Sequence, residues 1–107
     1  MTGNESGIRI YNKSAETIIA AVYDLVELQR AKKTYDDLSR GVIHFRMEMY
    51  SFSWEYRFTV EKKGENKSAV TLVIVGEATD KADRIRRQFT LLESIIPGGV
   101  LEESAVS

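Results

Sequence analysis

The sequence predicts an α+β fold in which two helices pack on one face of a curved antiparallel sheet of about five strands. Two segments carry apolar residues at helical spacing, and five short segments alternate apolar with polar residues. Short polar links join the last three of these strands, which favours an antiparallel meander. The expected order is β-α-β-β-β-β-α, and 107 residues suit a single domain spanning residues 1–107.

The first strand and the first helix are expected in the N-terminal third. Residues 8–11 alternate apolar and polar side chains, which predicts a short strand. Ser14 is suited to cap the next helix, and Glu16 in its first turn is favourable to the helix dipole. One face of this helix is mainly apolar and is expected to face the core. That face carries Ile18, Ile19, Val22, Leu25, Val26 and Gln29.

The middle of the chain has the period of two that is typical of strands. Four strands are expected there, at residues 31–35, 42–49, 55–62 and 70–75. A turn at residues 36–41, an aromatic loop at 50–54 and a polar loop at 63–68 separate them.

Charge pairing predicts how strands 42–49 and 55–62 align. Their inward residues must share one face, which leaves two plausible registers. One places Glu48 opposite Glu55, and the other places Glu48 opposite Arg57 and His44 opposite Glu61. Because like charges directly opposite each other are destabilising, we expect the second register.

A second helix is expected to close the fold. Asp80 can cap it, with Asp83 as a weak capping-box partner, and Gly98 or Gly99 can end it. Its apolar stripe consists of Ala82, Ile85, Phe89, Leu92 and Ile96. We therefore expect an ordered core at about residues 7–96, with flexible residues before it and a flexible tail from Pro97 to Ser107.

Composition excludes several classes of function. Fifteen basic and sixteen acidic residues give a net charge of −1, with no basic excess for nucleic acid or a membrane surface. The chain has no Cys and one His, so thiol catalysis and Cys- or His-rich metal sites are excluded. It shows no secretory signal and no membrane-spanning run, which predicts a cytoplasmic location. We expect no catalytic residue, cofactor or metal.

Three groups of polar residues were candidates for chemistry, and each has a simpler explanation. His44 with Glu61 is expected to be a surface pair, since a metal site needs more ligands. Asp36 and Asp37 are expected to cap backbone N–H groups in a turn. A charge run on a helix is usually a solvated face. This applies to Lys81, Arg84, Arg86 and Arg87.

Part of the chain resembles a family of small prokaryotic domains with the order β-α-β4-α. The residues that carry the resemblance are Gly41-Val42-Ile43, Ser51-Phe52-Ser53-Trp54-Glu55, Val70-Thr71-Leu72-Val73-Ile74 and the closing helix. Members often have Ser-Trp-Gly before the strand, and Glu55 replaces that glycine in this chain. They also often have an Asp-Trp-Gly-like run before the last helix, where this chain has Ala78-Thr79-Asp80-Lys81. The family is similar in shape to the TATA-binding-protein repeat and helix-grip folds. The resemblance implies a fold and no established activity.

The first functional hypothesis is a non-enzymatic interaction module, a homodimer or a partner of another protein. If the first strand lies beside the last, Tyr11, Val73 and Val75 form an apolar patch on the outer sheet face. Exposed apolar patches on small domains often mark contact surfaces.

The alternative hypothesis is a domain that binds a small apolar ligand in a cavity between sheet and helices. Met47, Met49, Phe52 and Trp54 can line such a cavity, and Met adapts to irregular shapes. The competing interpretation is that Phe52 and Trp54 close the open end of the core.

Overall fold

The computed structural model describes residues 5–96 in full and residues 100–106 by their backbone alone. A short 3₁₀ helix, Leu38–Arg40, precedes the third strand. The other elements are β1 (Glu5–Tyr11), α1 (Ala15–Leu28), β2 (Lys32–Asp37), β3 (Val42–Met49), β4 (Phe52–Gly64), β5 (Lys67–Gly76), α2 (Lys81–Ile95) and β6 (Val100–Val106).

The strands form one antiparallel sheet in the order β2-β3-β4-β5-β1-β6, with both helices on one face. The predicted α+β fold class and element order are therefore confirmed. β6 is an addition, because the sequence predicted a flexible tail there. Its backbone pairs with β1, with Gly7 opposite Val106 and Tyr11 opposite Val100, which occupies the edge of β1 that is not paired with β5. Residues 1–4 and the predicted stops at Gly98 and Gly99 lie outside the described residues.

Aromatic rings fill the space between the sheet and the helices. Phe45, Phe58 and Phe89 are fully buried, and the ring centroids lie 6.0 Å apart for Phe45–Phe58 and 6.3 Å apart for Phe58–Phe89. Such rings supply much of the apolar area that a small domain buries. The interior cavity that the ligand hypothesis needed is therefore occupied by side chains.

One of the two predicted helix caps is confirmed. Ser14 accepts a hydrogen bond from the Thr17 backbone N–H at 3.2 Å. Asp80 precedes α2, but its φ of +51° is left-handed and its side chain makes no capping hydrogen bond, so that prediction is wrong. A side-chain cap requires extended backbone at this position. Asp83 instead forms ion pairs with Arg86 and Arg87.

The observed register between β3 and β4 differs from both registers considered. Arg46 lies opposite Glu55, and His44 lies opposite Arg57. The aromatic loop expected at residues 50–54 is shorter in the structure, because β4 begins at Phe52 and only Tyr50 and Ser51 form the turn. Because hairpin loop length sets register, the shorter turn moves each pair. The opposite charges of Arg46 and Glu55 meet directly in this alignment.

β1 presents to the helices the face that was expected to point outward. Tyr11 pairs with Ser68 in the sheet, is fully buried, and donates a hydrogen bond from its hydroxyl to Glu93 at 2.8 Å. The prediction that Tyr11 joins Val73 and Val75 on the outer face is therefore wrong. The polar partner on α2 allows the tyrosine hydroxyl to be buried, which the alternation of β1 alone did not reveal.

Candidate functional site

The four residues proposed to line a ligand site lie together at the end of the β3–β4 hairpin. Met47 is opposite Trp54 and Met49 is opposite Phe52, so all four side chains share the helix-facing side. Trp54 is 5% exposed, whereas Met49 and Phe52 are 46% and 51% exposed. Trp54 thus closes the core, as the competing interpretation expected, but Phe52 does not. The set extends from the core edge into solvent.

Arg84 of α2 covers the indole of Trp54. Its guanidinium carbon lies 4.5 Å from the ring centroid, and its Nε donates to the Thr79 carbonyl at 2.7 Å. These two contacts hold the side chain across the ring. Within residues 5–96, the two terminal guanidinium nitrogens make no hydrogen bond or ion pair. Arg84 therefore presents a fixed pair of donors at the edge of an aromatic surface.

A reciprocal amide pair anchors the other end of this region. Gln29 donates to Gln88 at 2.9 Å, and Gln88 donates to Gln29 at 2.7 Å. Gln88 is only 4% exposed, yet both amides are satisfied. This pair joins the end of α1 to α2 and fixes the spacing of the two helices beside Met47.

The hairpin and α2 enclose three connected depressions, which we call the hairpin groove. The first, about 150 Å³, lies beside Phe52 and Trp54, and the second, about 180 Å³, shares Met49, Trp54 and Arg84 with it. The third, about 360 Å³, shares Gln29, Met47 and Glu48 with the second. The first two depressions lie on the helix side of the sheet, and the third extends around the end of β3 to Lys32, Arg46 and Glu48, whose strand positions belong to the outer face.

The hairpin groove is more positive than the rest of the chain. Its two acidic side chains are Glu48 and Glu77. Its five basic side chains are Arg30, Lys32, Arg46, Arg84 and Arg87. Arg46 pairs with Glu48 at 3.8 Å and Arg87 pairs with Asp83 at 3.0 Å, so with Asp83 included the local balance is +2 in a chain whose net charge is −1. Such a concentration of one sign raises the local concentration of oppositely charged ligands.

Two buried polar groups lie in the floor of the hairpin groove. The indole N–H of Trp54 has no hydrogen-bond partner among the described residues, although Tyr56 lies close by. Burial raises the pKa of the Tyr56 hydroxyl, which opposes the lowering effects of Trp54 and Arg84, so the hydroxyl is neutral at pH 7. A buried donor without an acceptor is costly, and a water molecule or a ligand usually satisfies it.

The single histidine lies on the opposite face of the sheet. His44 Nδ1 is 3.7 Å from Glu55, not beside Glu61 as predicted. Burial, with Arg57, lowers the pKa of His44 despite the nearby Glu55. Glu55 is partly buried, which raises its pKa, but hydrogen bonds from Arg57 at 2.6 Å and Thr34 at 3.0 Å hold its pKa below the ordinary value. Glu55 is thus engaged as an acceptor.

The remaining predicted residues have structural roles or face solvent. Asp36 accepts hydrogen bonds from Tyr23 and Lys33, so it links α1 to β2 and does not cap a turn. Val73 and Val75 lie half-buried on the outer sheet face. In the part of the chain that the structure describes, no three acidic or histidine side chains lie close enough to hold a metal ion. No described helix is long and apolar enough to cross a bilayer.

Sequence reasoning missed Arg84 and Gln88 as residues of the site. Arg84 was assigned to a solvated charged face together with Arg86 and Arg87, and nothing in its spacing distinguishes it. Gln88 had a usable signal, since it lies between Ile85 and Phe89 in the buried stripe of α2. A polar residue at such a position usually has a specific partner.

Comparison with models of known protein families gives no match for this chain, and comparison with curated proteins gives none either.

Proposed function

We propose that this protein is a binding module whose hairpin groove holds a small amphipathic anion. The observation that carries the proposal is the position of Arg84, whose terminal donors have no partner within residues 5–96 and lie beside the apolar surface of Trp54, Met49 and Phe52. An apolar or aromatic body would lie along that surface, and its carboxylate, sulfonate or phosphate would reach the guanidinium. This is the usual composition of a small-molecule site.

Two features support an anion over a neutral or cationic ligand. The hairpin groove carries an excess of basic side chains. An arginine fork suits the planar geometry of a carboxylate or the oxygens of a phosphate.

Two fluorescent dyes with the same aromatic body test the proposal. 1-Anilinonaphthalene-8-sulfonate carries a negative charge, and N-phenyl-1-naphthylamine is its neutral counterpart. Trp54 is the only tryptophan, so energy transfer from it reports on a dye in the hairpin groove. We expect saturable one-to-one binding of the sulfonate, at least about tenfold tighter than that of the neutral dye, since a charge-assisted hydrogen bond contributes roughly 1.5–3 kcal/mol.

Arg84→Gln should reduce sulfonate binding about tenfold and leave binding of the neutral dye unchanged. Arg86→Gln is the matched control, because Arg86 lies two residues away on α2 and pairs with Asp83 outside the hairpin groove. Equal affinity of the two dyes for the unmodified protein, or equal effects of the two substitutions, would overturn the proposal.

A further inference from the structure

The outer face of β4, away from the helices, has a charge pattern that is complementary to itself. Trp54, Tyr56, Phe58 and Val60 are buried, so the alternate side chains face outward. The outward row reads Glu55, Arg57, Thr59 and Glu61, and Lys63 joins it across a bulge through an ion pair with Glu61 at 3.3 Å. The charges are therefore negative, positive, neutral, negative and positive, and Arg57 pairs with Glu55 at 2.6 Å in the same chain. If the order of this row is reversed about Thr59, each charged side chain comes to lie at a position that carries the opposite charge.

An apolar strip lies beside this charged row on β5 and β1. Val73 and Val75 are half-buried on the outer face, and Ile8 is 43% exposed. Strand pairing aligns the strip with the charges, because Thr59, Thr71 and Ile8 form one row across the sheet. On one side of that row, the next outward positions are Arg57 and Val73. On the other side, they are Glu61 and Ala69.

A two-fold axis along the row of Thr59, Thr71 and Ile8 would stack two sheets face to face with their strands antiparallel. Each strand would then lie over its own counterpart, as an isologous interface requires. Arg57 of one copy would face Glu61 of the other, and these contacts would join the Glu55–Arg57 and Glu61–Lys63 pairs that each chain already makes. Ile8 would meet Ile8 of the other copy at the centre. No like charges of the β4 row would be opposed in this arrangement.

We propose that a second copy of this chain docks on the outer face of β4, β5 and β1 to form a two-fold homodimer. The self-complementary row selects a second copy as the occupant, since an unrelated partner would not need a pattern that changes sign about its centre. This surface replaces the predicted patch that included Tyr11 and keeps Val73. It lies on the opposite side of the sheet from Trp54 and Arg84, which carry the binding proposal, so the two proposals stand independently.

Sedimentation equilibrium of the full chain tests the dimer directly. We expect a concentration-dependent monomer–dimer equilibrium at micromolar to submillimolar protein. Ile8→Lys should raise the dimer dissociation constant at least about tenfold, because it brings two ammonium groups together at the centre. Thr17→Lys is the control, since Thr17 is exposed on α1 in the opposite layer. A chain that stays monomeric at submillimolar concentration would overturn the proposal.

A charge swap tests the arrangement itself. Arg57→Glu should weaken the dimer about tenfold, because it places two acids opposite each other at two related positions. Adding Glu61→Arg to Arg57→Glu should restore the dimer. Arg86→Glu changes the net charge equally but lies on α2, and it should leave association unchanged. If the double variant dissociates like Arg57→Glu, the two-fold arrangement is wrong; circular dichroism establishes that every variant is folded.

Discussion

The guanidinium of Arg84 lies 4.5 Å above the indole ring of Trp54, so a helix residue covers the one tryptophan at the end of the sheet. Arg84→Ala should expose the ring, shift the tryptophan emission to longer wavelength and lower the free energy of unfolding by about 1 kcal/mol. Fluorescence spectra and urea titrations measure both effects. Arg86→Ala should change neither. An unshifted spectrum for Arg84→Ala would mean that Trp54 is covered by other groups.

Arg9 and Tyr11 of β1 share the carboxylate of Glu93 on α2. The Arg9–Glu93 distance is 2.7 Å, and Arg9 is only 8% exposed. Glu93→Ala should lower the free energy of unfolding by about 2–3 kcal/mol, because it removes a charged acceptor from two buried donors. Glu93→Gln keeps an acceptor oxygen and should cost less. Urea denaturation compares the two, and equal losses would contradict this expectation, because they would assign the whole effect to the lost charge and none to the acceptor oxygen or to packing.

The hydroxyl of Tyr23 donates to Asp36, which raises the pKa of Tyr23 to about 12. In a spectrophotometric titration, the difference between the unmodified protein and Tyr23→Phe should therefore show one phenol that ionises near pH 12. Asp36→Asn should lower that pKa toward 10, because it removes the negative charge. An unchanged pKa in Asp36→Asn would show that Asp36 is not the cause.

The same pair gives stability a defined pH dependence. A raised pKa means that the folded state holds the Tyr23 proton more tightly, so this contribution is complete below pH 10 and disappears as the pH rises from 10 to 12. The hydrogen bonds from Tyr23 and Lys33 lower the pKa of Asp36, so its contribution is present above the ordinary value and disappears as the pH falls through the lowered pKa. The difference in stability between the unmodified protein and Tyr23→Phe should therefore be smaller at both pH extremes than near neutral pH. Thermal unfolding across this pH range measures it.

Local patterns in the sequence predicted most of the fold. The alternation in β3 and β5 and the apolar stripes of both helices depend on residues close in sequence, and they predicted the elements and their order. The register of β3 and β4 depended on whether Tyr50 can form a tight turn. Its φ of +56° is uncommon for a tyrosine, so the pattern favoured a longer loop. The turn determined the register.

The candidate site was only half predictable for a related reason. Met47, Met49, Phe52 and Trp54 lie within eight residues of one another, and strand alternation placed them on one face. Arg84 reaches that face from a helix thirty residues later, and the charge run around it gave no sign of this. Tyr11 was misplaced because its acceptor, Glu93, is 82 residues away. Contacts between distant segments depend on tertiary packing, which the local period does not encode.

Gly41 is the glycine whose replacement should be most costly. Its φ is +69°, and an added Cβ would lie 2.2 Å from the Val60 carbonyl oxygen, beside the hydrogen bond of 2.7 Å that the Val60 N–H donates to the Gly41 carbonyl. Gly41→Ala should lower the free energy of unfolding by about 3 kcal/mol, since it combines left-handed strain with a backbone clash. Gly64→Ala is the control, because its Cβ would meet only the Lys67 side chain at 3.8 Å. Thermal unfolding compares them, and similar losses would contradict this account.

The single histidine allows a direct test of the charges on the outer sheet face. Burial lowers the pKa of His44; Glu55 raises it, and Arg57 lowers it. The imidazole resonance should therefore titrate below pH 6.5 by NMR. Arg57→Gln should raise that pKa, and Glu55→Gln should lower it. Because the folded state favours neutral His44, its contribution to stability is complete above pH 6.5 and disappears as the pH falls through the lowered pKa. A shift in the same direction for both substitutions would mean that desolvation, and not these two charges, governs the histidine.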